Sequence, residues 1–389
     1  MNTHKSGRHF LQIPGPSNVP DRILHAIAHP TIDHRGPQFQ KISEEVLLGV
    51  RRIFKTSGPV LVFPTSGTGA WEAALMNSLN PGDKILMFET GHFATLWHNM
   101  AKKFGLKIDF VRTNWRHGVD PQVVAEKLSE DLEHRIKSVN VVHNETSTGV
   151  ASRIAEIRKA IDQTGHPALF MVDTISSLGS MDYRHGEWKV DVTVGCSQKG
   201  LMLPPGLGFN AISEKAIEAS KVNSFRRHFW DWNEMLKSNE NYLYPSTPCT
   251  NLLFGLKEAI AMLEEEGLDN VFARHARFAE ATRRAVRAWG LEILCEEPLE
   301  YSSVLTAVMM PEANGADSLR KVILESFNMS LGNGLGKVAD QVFRIGHLGD
   351  MNDLTLIGTL AGVEMGLERG GVEHNKGGVA EAMDYLASS

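Results

Sequence analysis

Between residues 59 and 196 the chain alternates two kinds of segment, and this alternation restricts its fold more than any other feature. The runs "GPVLVFPTSG", "DKILMF", "LKIDFV", "SVNVVHN", "ALFMVD" and "VDVTVG" read as strands and are, as a set, rich in Val, Ile and Phe. Strands of that kind are covered on both faces. The intervening stretches, such as "AWEAALMNSL", "PQVVAEKLSEDLEHRI" and "IAEIRKAIDQTG", have helical spacing. In the first of these Trp71, Ala74, Leu75 and Leu79 fall near one face. The pattern predicts an α/β fold with a mostly parallel sheet flanked by helices. "GLDNVFARHARFAEATRRAVRAWG" then predicts one long helix, followed by a few strands and shorter helices. A chain of 389 residues exceeds what one core usually organises. We therefore expect an N-terminal segment over 1–20, a large domain over 21–275 and a smaller α+β domain over 276–389. "IPGPSNVP" is too rich in proline for a regular element and should cross the surface as an ordered segment.

Charge and composition exclude several functions. A net charge of −6 offers no basic stripe for nucleic acid and nothing that points to a membrane surface. No apolar run approaches the ~20 residues of a spanning helix. The first twenty residues lack the apolar stretch of a secretory signal. Cys196, Cys249 and Cys295 lie far apart, form no CxxC and suggest neither disulfides nor zinc. No HExxH occurs and the 16 histidines are scattered, so no metal is expected. The expectation is a soluble, cytoplasmic enzyme.

In open parallel sheets, ligands gather at the C-terminal strand ends. After "VLVFP" comes Thr65-Ser66-Gly67-Thr68-Gly69, opening a helix: an anion cradle or an ordinary helix cap. It is neither a P-loop nor a complete GxGxxG. After "ALFMV" comes Asp173, either a buried acid in need of a cation or a helix cap for the next segment. After "VDVTVGCSQ" comes Lys199, 26 positions on: a desolvated amine able to form an imine, or a lysine reaching solvent. Together a phosphate cradle, an acid and an amine describe what pyridoxal phosphate requires. Phe93 in "ETGHFATLW" could stack on its ring or simply pack in the core.

The motifs "IPGPSNVP", "TSGTGAWEAAL", "HNETSTGV", "VDTISSLG", "CSQKGLMLPPGLGF", "YPSTP" and "KVADQVFRIGHLG" span most of the chain. In them it resembles the class V aminotransferases of fold type I, in the group of alanine–, serine– and aspartate–glyoxylate aminotransferases. The resemblance implies a seven-stranded sheet, with Lys199 as the imine-forming lysine and acid/base, and Asp173 on the pyridine nitrogen. It implies Ile175 behind the ring and Phe93 in front, where several relatives have tryptophan. Ser66, Gly67 and Thr68 would hold the phosphate with help from Gln198, and Thr146 would touch the ring hydroxyl. Tyr244 and Thr247 would reach the phosphate of a neighbouring subunit, which implies a homodimer with shared sites. Arg344 would clamp the substrate α-carboxylate, a task suited to a planar guanidinium. Pro14 and Gly15 would lie over the substrate, and His34 and Arg35 would approach the partner's site. The implied reaction is transfer of an amino group to glyoxylate, giving glycine, with L-aspartate or L-serine as donor. The residues do not separate the two donors.

Other readings are an alanine-specific relative, a lyase that uses the same cofactor, or a cysteine desulfurase, which would need a mobile nucleophilic cysteine. A dinucleotide oxidoreductase would use Glu89 for a ribose but leaves Lys199 and Asp173 unexplained. His143 and His347, near motifs, read as contacts to substrate or interface or, more simply, as satisfied structural histidines.

Overall fold

The six apolar runs form six of the seven strands of the main sheet in a computed structural model that describes residues 6–389. Residues 1–5 of the expected N-terminal segment lie outside the described residues. In chain order the strands are β1 (Phe10–Gln12), β2 (Val60–Phe63), β3 (Lys84–Glu89), β4 (Lys107–Arg112), β5 (Ile136–Val142), β6 (Asn144–Glu145) and β7 (Val150–Ala151). They continue as β8 (Leu169–Asp173), β9 (Val192–Cys196), β10 (Gly208–Ile212), β11 (Leu305–Met309), β12 (Met329–Asn333) and β13 (Val342–Gly346). The main sheet has the order β2-β10-β9-β8-β5-β3-β4.

All its neighbours are parallel except β10, which runs antiparallel to β2 and β9. The reason is the length of the connection. Ser197–Leu207 contains no helix, and a parallel return needs a crossover of about a dozen residues or more. Ser197 ties this loop into a tight return: its N–H donates to Leu207 O at 2.9 Å and its hydroxyl to Pro204 O at 2.8 Å. Lys199 sits in that return, at the C-terminal edge of β9.

In β2 successive residues serve opposite cores. Val60 and Val62 face α2 (Pro37–Ile53, after α1, Asp21–Ile27) and the helix Thr250–Glu266. Leu61 and Phe63 face α3 (Gly67–Ser78) and α4 (His92–Lys103). Helix α2 shows the expected 3.6 period, with Phe39, Ile42, Val46, Val50 and Ile53 all buried. Each such side chain contributes about 1.5–3 kcal/mol by leaving water. Gly49 lets the neighbouring helix approach, since a Cβ there would lie 2.9 Å from Ile260.

A second sheet has the order β1-β12-β13-β11. It packs with the long helix Leu268–Ala288 and with Asp353–Arg369 around Phe278, Trp289, Phe343, Ile345 and Leu360. Strand β1 is not legible in the sequence: "FLQ" is too short to show a period, and only pairing with β12 makes it a strand. Residues 13–20, which come next, hold no regular element, as expected, but they do not simply cross the surface. Pro14 and Ser17 are buried, and Gly346 of β13 would place a Cβ 2.3 Å from Ile13 O. The segment is thus wedged between the second sheet and the lysine loop. No helix among the described residues is long and apolar enough to cross a membrane.

Candidate active site

Five strands of the main sheet end on one side of the molecule, and each delivers a side chain or helix start to a cavity of about 250 Å³. Asp173, the last residue of β8, is 3% exposed. Its Oδ1 accepts from the Ile175 N–H at 2.6 Å and its Oδ2 from the Trp71 indole N–H at 3.0 Å. Burial raises this carboxyl to about 7. The two hydrogen bonds and the charge of Lys199 oppose the rise, and the charge of Glu145 adds to it.

Lys199, in the loop just past the adjacent strand β9, is 8% exposed and donates from Nζ to the Pro14 carbonyl at 2.5 Å. Burial lowers it to about 8 and Arg344 adds to the lowering, against Cys196 and Asp173. A lysine so placed is an uncharged amine over much of the mildly alkaline range, which a nucleophile requires. The N-terminal segment packs directly on it. Gly15 has φ +90°, and a Cβ there would lie 2.3 Å from Lys199 Cδ. Ser17 adds two bonds, from its hydroxyl to Lys199 O at 2.8 Å and from its N–H to Gln198 O at 3.1 Å.

Ser66, Gly67 and Thr68 line the cavity at the start of α3. The Ser66 side chain makes no capping bond, so the first turn of α3 is left without a side-chain cap. An uncapped helix N-terminus facing a cavity attracts an anion. Gly67 lets this turn rest on Ile175, because a Cβ there would lie 2.3 Å from Ile175 Cδ1. Phe93 from α4, Ile175, Thr146 and Gln198 also line the cavity. Two buried acceptors there, Gln198 Oε1 and Asn144 Oδ1, have no hydrogen-bond partner among the described residues. Such atoms ordinarily have partners, and here both belong to cavity-lining residues. The cavity therefore combines an acid, an uncharged amine, an anion-seeking helix start and unspent polar atoms. That set suits a flat, phosphorylated heteroaromatic aldehyde.

Arg344 arrives from the second sheet, on β13. Its Nη1 donates to Thr146 O at 2.7 Å and its Nε to Asn333 O at 2.8 Å. No protein group among the described residues takes a hydrogen bond from Nη2. Burial lowers this guanidinium to about 10, and the charge of Glu145 opposes the lowering.

The remaining expected residues lie elsewhere. Tyr244 packs edge-on against Phe39 with ring centres 6.1 Å apart, and Thr247 is exposed. Arg35 is exposed, and His34 is outside the cavity lining. Within one chain the structure does not bring these four to Lys199. Glu89 pairs with Lys337 at 2.5 Å and accepts from the Trp115 indole at 3.3 Å, so it is engaged away from the cavity. Cys196 and Cys295 are buried and Cys249 is half-buried. His143 bonds the Ser177 hydroxyl at 2.9 Å and is lowered by burial to about 4. His347 sits between Thr306 and Ser303, lowered to about 3 by burial.

Sequence reasoning misses Trp71, Asn144, Glu145 and Ser17. Trp71 reads only as part of a helix face, and its indole N–H has no counterpart in an apolar count. Asn144 and Glu145 flank Thr146 inside "HNETSTGV", where two consecutive polar residues at a strand end are the available clue.

A family model described as aminotransferase class-V matches residues 10–334. The chain is 46% identical to the serine–glyoxylate aminotransferase of Methylorubrum extorquens, over 99% of its own length and 97% of that protein. It is 44% identical to the L-aspartate–glyoxylate aminotransferase of Paracoccus denitrificans, over 96% of its length and 95% of that protein. Among solved structures, the pyridoxamine–pyruvate aminotransferase of Mesorhizobium loti matches with a TM-score of 0.92 at 25% identity, over 98% of each chain.

Proposed function

The chain belongs to the class V aminotransferases, and on that premise we propose that it moves the amino group of L-serine or L-aspartate to glyoxylate. The products are glycine and hydroxypyruvate or oxaloacetate, and the cofactor is pyridoxal phosphate. The observation that carries this reading is the convergence of two buried groups, Asp173 and Lys199, at adjacent strand ends in one cavity with an uncapped helix start.

When bound, pyridoxal phosphate supplies an electron sink conjugated with the substrate Cα. Asp173 would hold its ring nitrogen, Ser66, Gly67 and Thr68 its phosphate, and Phe93 and Ile175 its two faces. Thr146, Gln198 and Asn144 offer the polar contacts at its rim. Arg344 binds the substrate α-carboxylate through the guanidinium edge not spent on carbonyls, which fixes the Cα–H bond relative to Lys199. Nζ of Lys199, uncharged above about pH 8, is the base that takes the Cα proton. Pro14 and Gly15 press on Lys199 and exclude water from that side.

Assembly and setting belong to the same proposal. The chain acts as a cytoplasmic homodimer whose bodies divide near residue 275. Its exposed Pro245–Thr247 turn completes the neighbour's phosphate site, and His34 and Arg35 face the neighbour's substrate. Support comes from the exposure of that turn, away from the chain's own cavity.

Lys199→Ala tests the reading. The purified protein should lose its visible cofactor absorption and about 10³-fold or more of its turnover with glyoxylate. Near-normal turnover would overturn the assignment. A screen of amino donors against glyoxylate ranks serine against aspartate.

A further inference from the structure

We propose that Glu145 is a positioning residue of this site. Its buried carboxylate holds the helix start that presents Phe93 and the turn that presents Thr146, and through the Thr146 carbonyl it holds Arg344. The proposal rests on the transaminase reading and places no contact between Glu145 and the substrate.

Glu145 is 0% exposed and lies on β6, just past the end of β5. Its Oε1 accepts from the N–H of Phe93 at 3.2 Å, the N–H of Ser147 at 3.1 Å and the hydroxyl of Ser147 at 2.6 Å. Its Oε2 accepts from the N–H of Ala94 at 3.0 Å. The Ser147 hydroxyl in turn accepts from the N–H of His92 at 2.9 Å. Three first-turn N–H groups of α4 are therefore capped by a turn some fifty residues away. The residue in the N-cap position, Gly91, has no side chain to offer. A Cβ at 91 would lie 2.3 Å from Glu145 Cγ and 2.5 Å from Ser147 Oγ, so the missing side chain makes room for the carboxylate.

A local Ser or Asp at position 91 would cap α4 without burying a distant acid. Burying a carboxylate is costly unless its bonds are complete. What the distant cap adds is geometry. Residue 146, the next in the chain, lines the cavity, and its carbonyl accepts from Arg344 Nη1 at 2.7 Å. Arg344 stands on the second sheet. The 145–147 turn thus ties together the ring-facing helix, the cavity wall and the substrate cation. A simple helix cap would affect stability alone, whereas a positioning residue changes how substrate and cofactor bind.

Glu145→Gln keeps the shape but turns an amide N–H₂ towards backbone donors. The measurements are KM for the amino donor and for glyoxylate, kcat, the dissociation constant of pyridoxal phosphate from the stripped protein, and Tm. The expected result is a rise of about tenfold in both KM values, weaker cofactor binding, and a smaller change in kcat. Ser147→Ala keeps the charge and removes two bonds, so it should move the same quantities in the same direction by about threefold. If Glu145→Gln lowers Tm while KM and cofactor affinity stay within about twofold, Glu145 is only a cap. If that variant does not fold, unchanged KM values in Ser147→Ala overturn the proposal. A wild-type protein that binds no pyridoxal phosphate sinks the functional reading itself. Wild-type binding with unaltered variants sinks only the role of Glu145.

Discussion

Asp173→Asn should stabilise the cofactor-free protein at alkaline pH while abolishing its activity. The carboxyl is raised by burial from 3.8 to about 7, so the folded chain keeps a proton there that the unfolded chain has already released. Stability associated with this group is complete below about pH 4 and is lost progressively as the pH rises to 7 and beyond. At ~1.36 kcal/mol per pH unit the loss is about 2 kcal/mol at pH 5 and about 4 kcal/mol at pH 8. Asparagine has no such term. It leaves the Trp71 indole or its own amide short of a partner, at about 1–3 kcal/mol that does not vary with pH. The gap between variant and wild type must therefore widen in the variant's favour by about 2–3 kcal/mol from pH 5 to pH 8. Over 389 residues the unfolding entropy is about 0.8 kcal/mol/K, so the gap in Tm widens by about 3 °C. Thermal melts of both stripped proteins across that range measure it directly. Parallel Tm curves would show that Asp173 is not a buried, protonatable acid, and the charge argument for the site would fail with it.

Arg344→Ala should raise KM for every carboxylate substrate by about 100-fold, the cost of losing charged hydrogen bonds. Arg344→Lys should recover little of this because an ammonium cannot present the same two-pronged edge, and an unchanged KM in either variant would remove Arg344 from the substrate site. Capture of pyridoxal phosphate by the stripped protein should speed up with pH about a midpoint near 8, where Lys199 loses its proton, and a midpoint near 10.5 would mean that Lys199 is hydrated rather than buried.

Much of this architecture is legible in the sequence because its evidence is local. Six runs rich in Val, Ile and Phe declare six strands, and an acid or lysine at the end of such a run is conspicuous without knowledge of any partner. The direction of β10 follows from the shortness of Ser197–Leu207, a feature also visible in the sequence. The features that escape notice depend on partners far apart in the chain. Trp71 meets Asp173 across 102 positions, Ser17 meets Lys199 across 182, and the Phe93 N–H meets Glu145 across 52. No periodicity encodes such a meeting. The strand β1 escapes for the same reason, since its identity is supplied by β12. Arg344 is found through resemblance, because a guanidinium between Phe343 and Ile345 reveals nothing by itself about which carbonyls it will reach.

Asp173 and Lys199, which line the cavity, and Arg344, bonded to the carbonyl of the lining residue Thr146, share one property that bears on how this chain functions. Burial pushes Asp173, Lys199 and Arg344 towards their uncharged forms, and in each case it is the largest cause. A site built only for stability would hold apolar side chains there, since a buried charge without a full complement of partners costs free energy. The existing bonds are only partial compensation: two donors on Asp173, one carbonyl on Lys199, and two carbonyls on Arg344 with Nη2 left over. On the proposed reading, a pyridinium beside Asp173 and a carboxylate on Arg344 would supply the missing counter-charges, so cofactor and substrate would complete an electrostatic arrangement that the protein leaves open. Binding energy would then be drawn from the cost of burying these groups, and a variant that relieves that cost should weaken binding. Asp173→Asn is the sharpest case: the pH-dependent stability it gains should reappear as lost affinity for the ring.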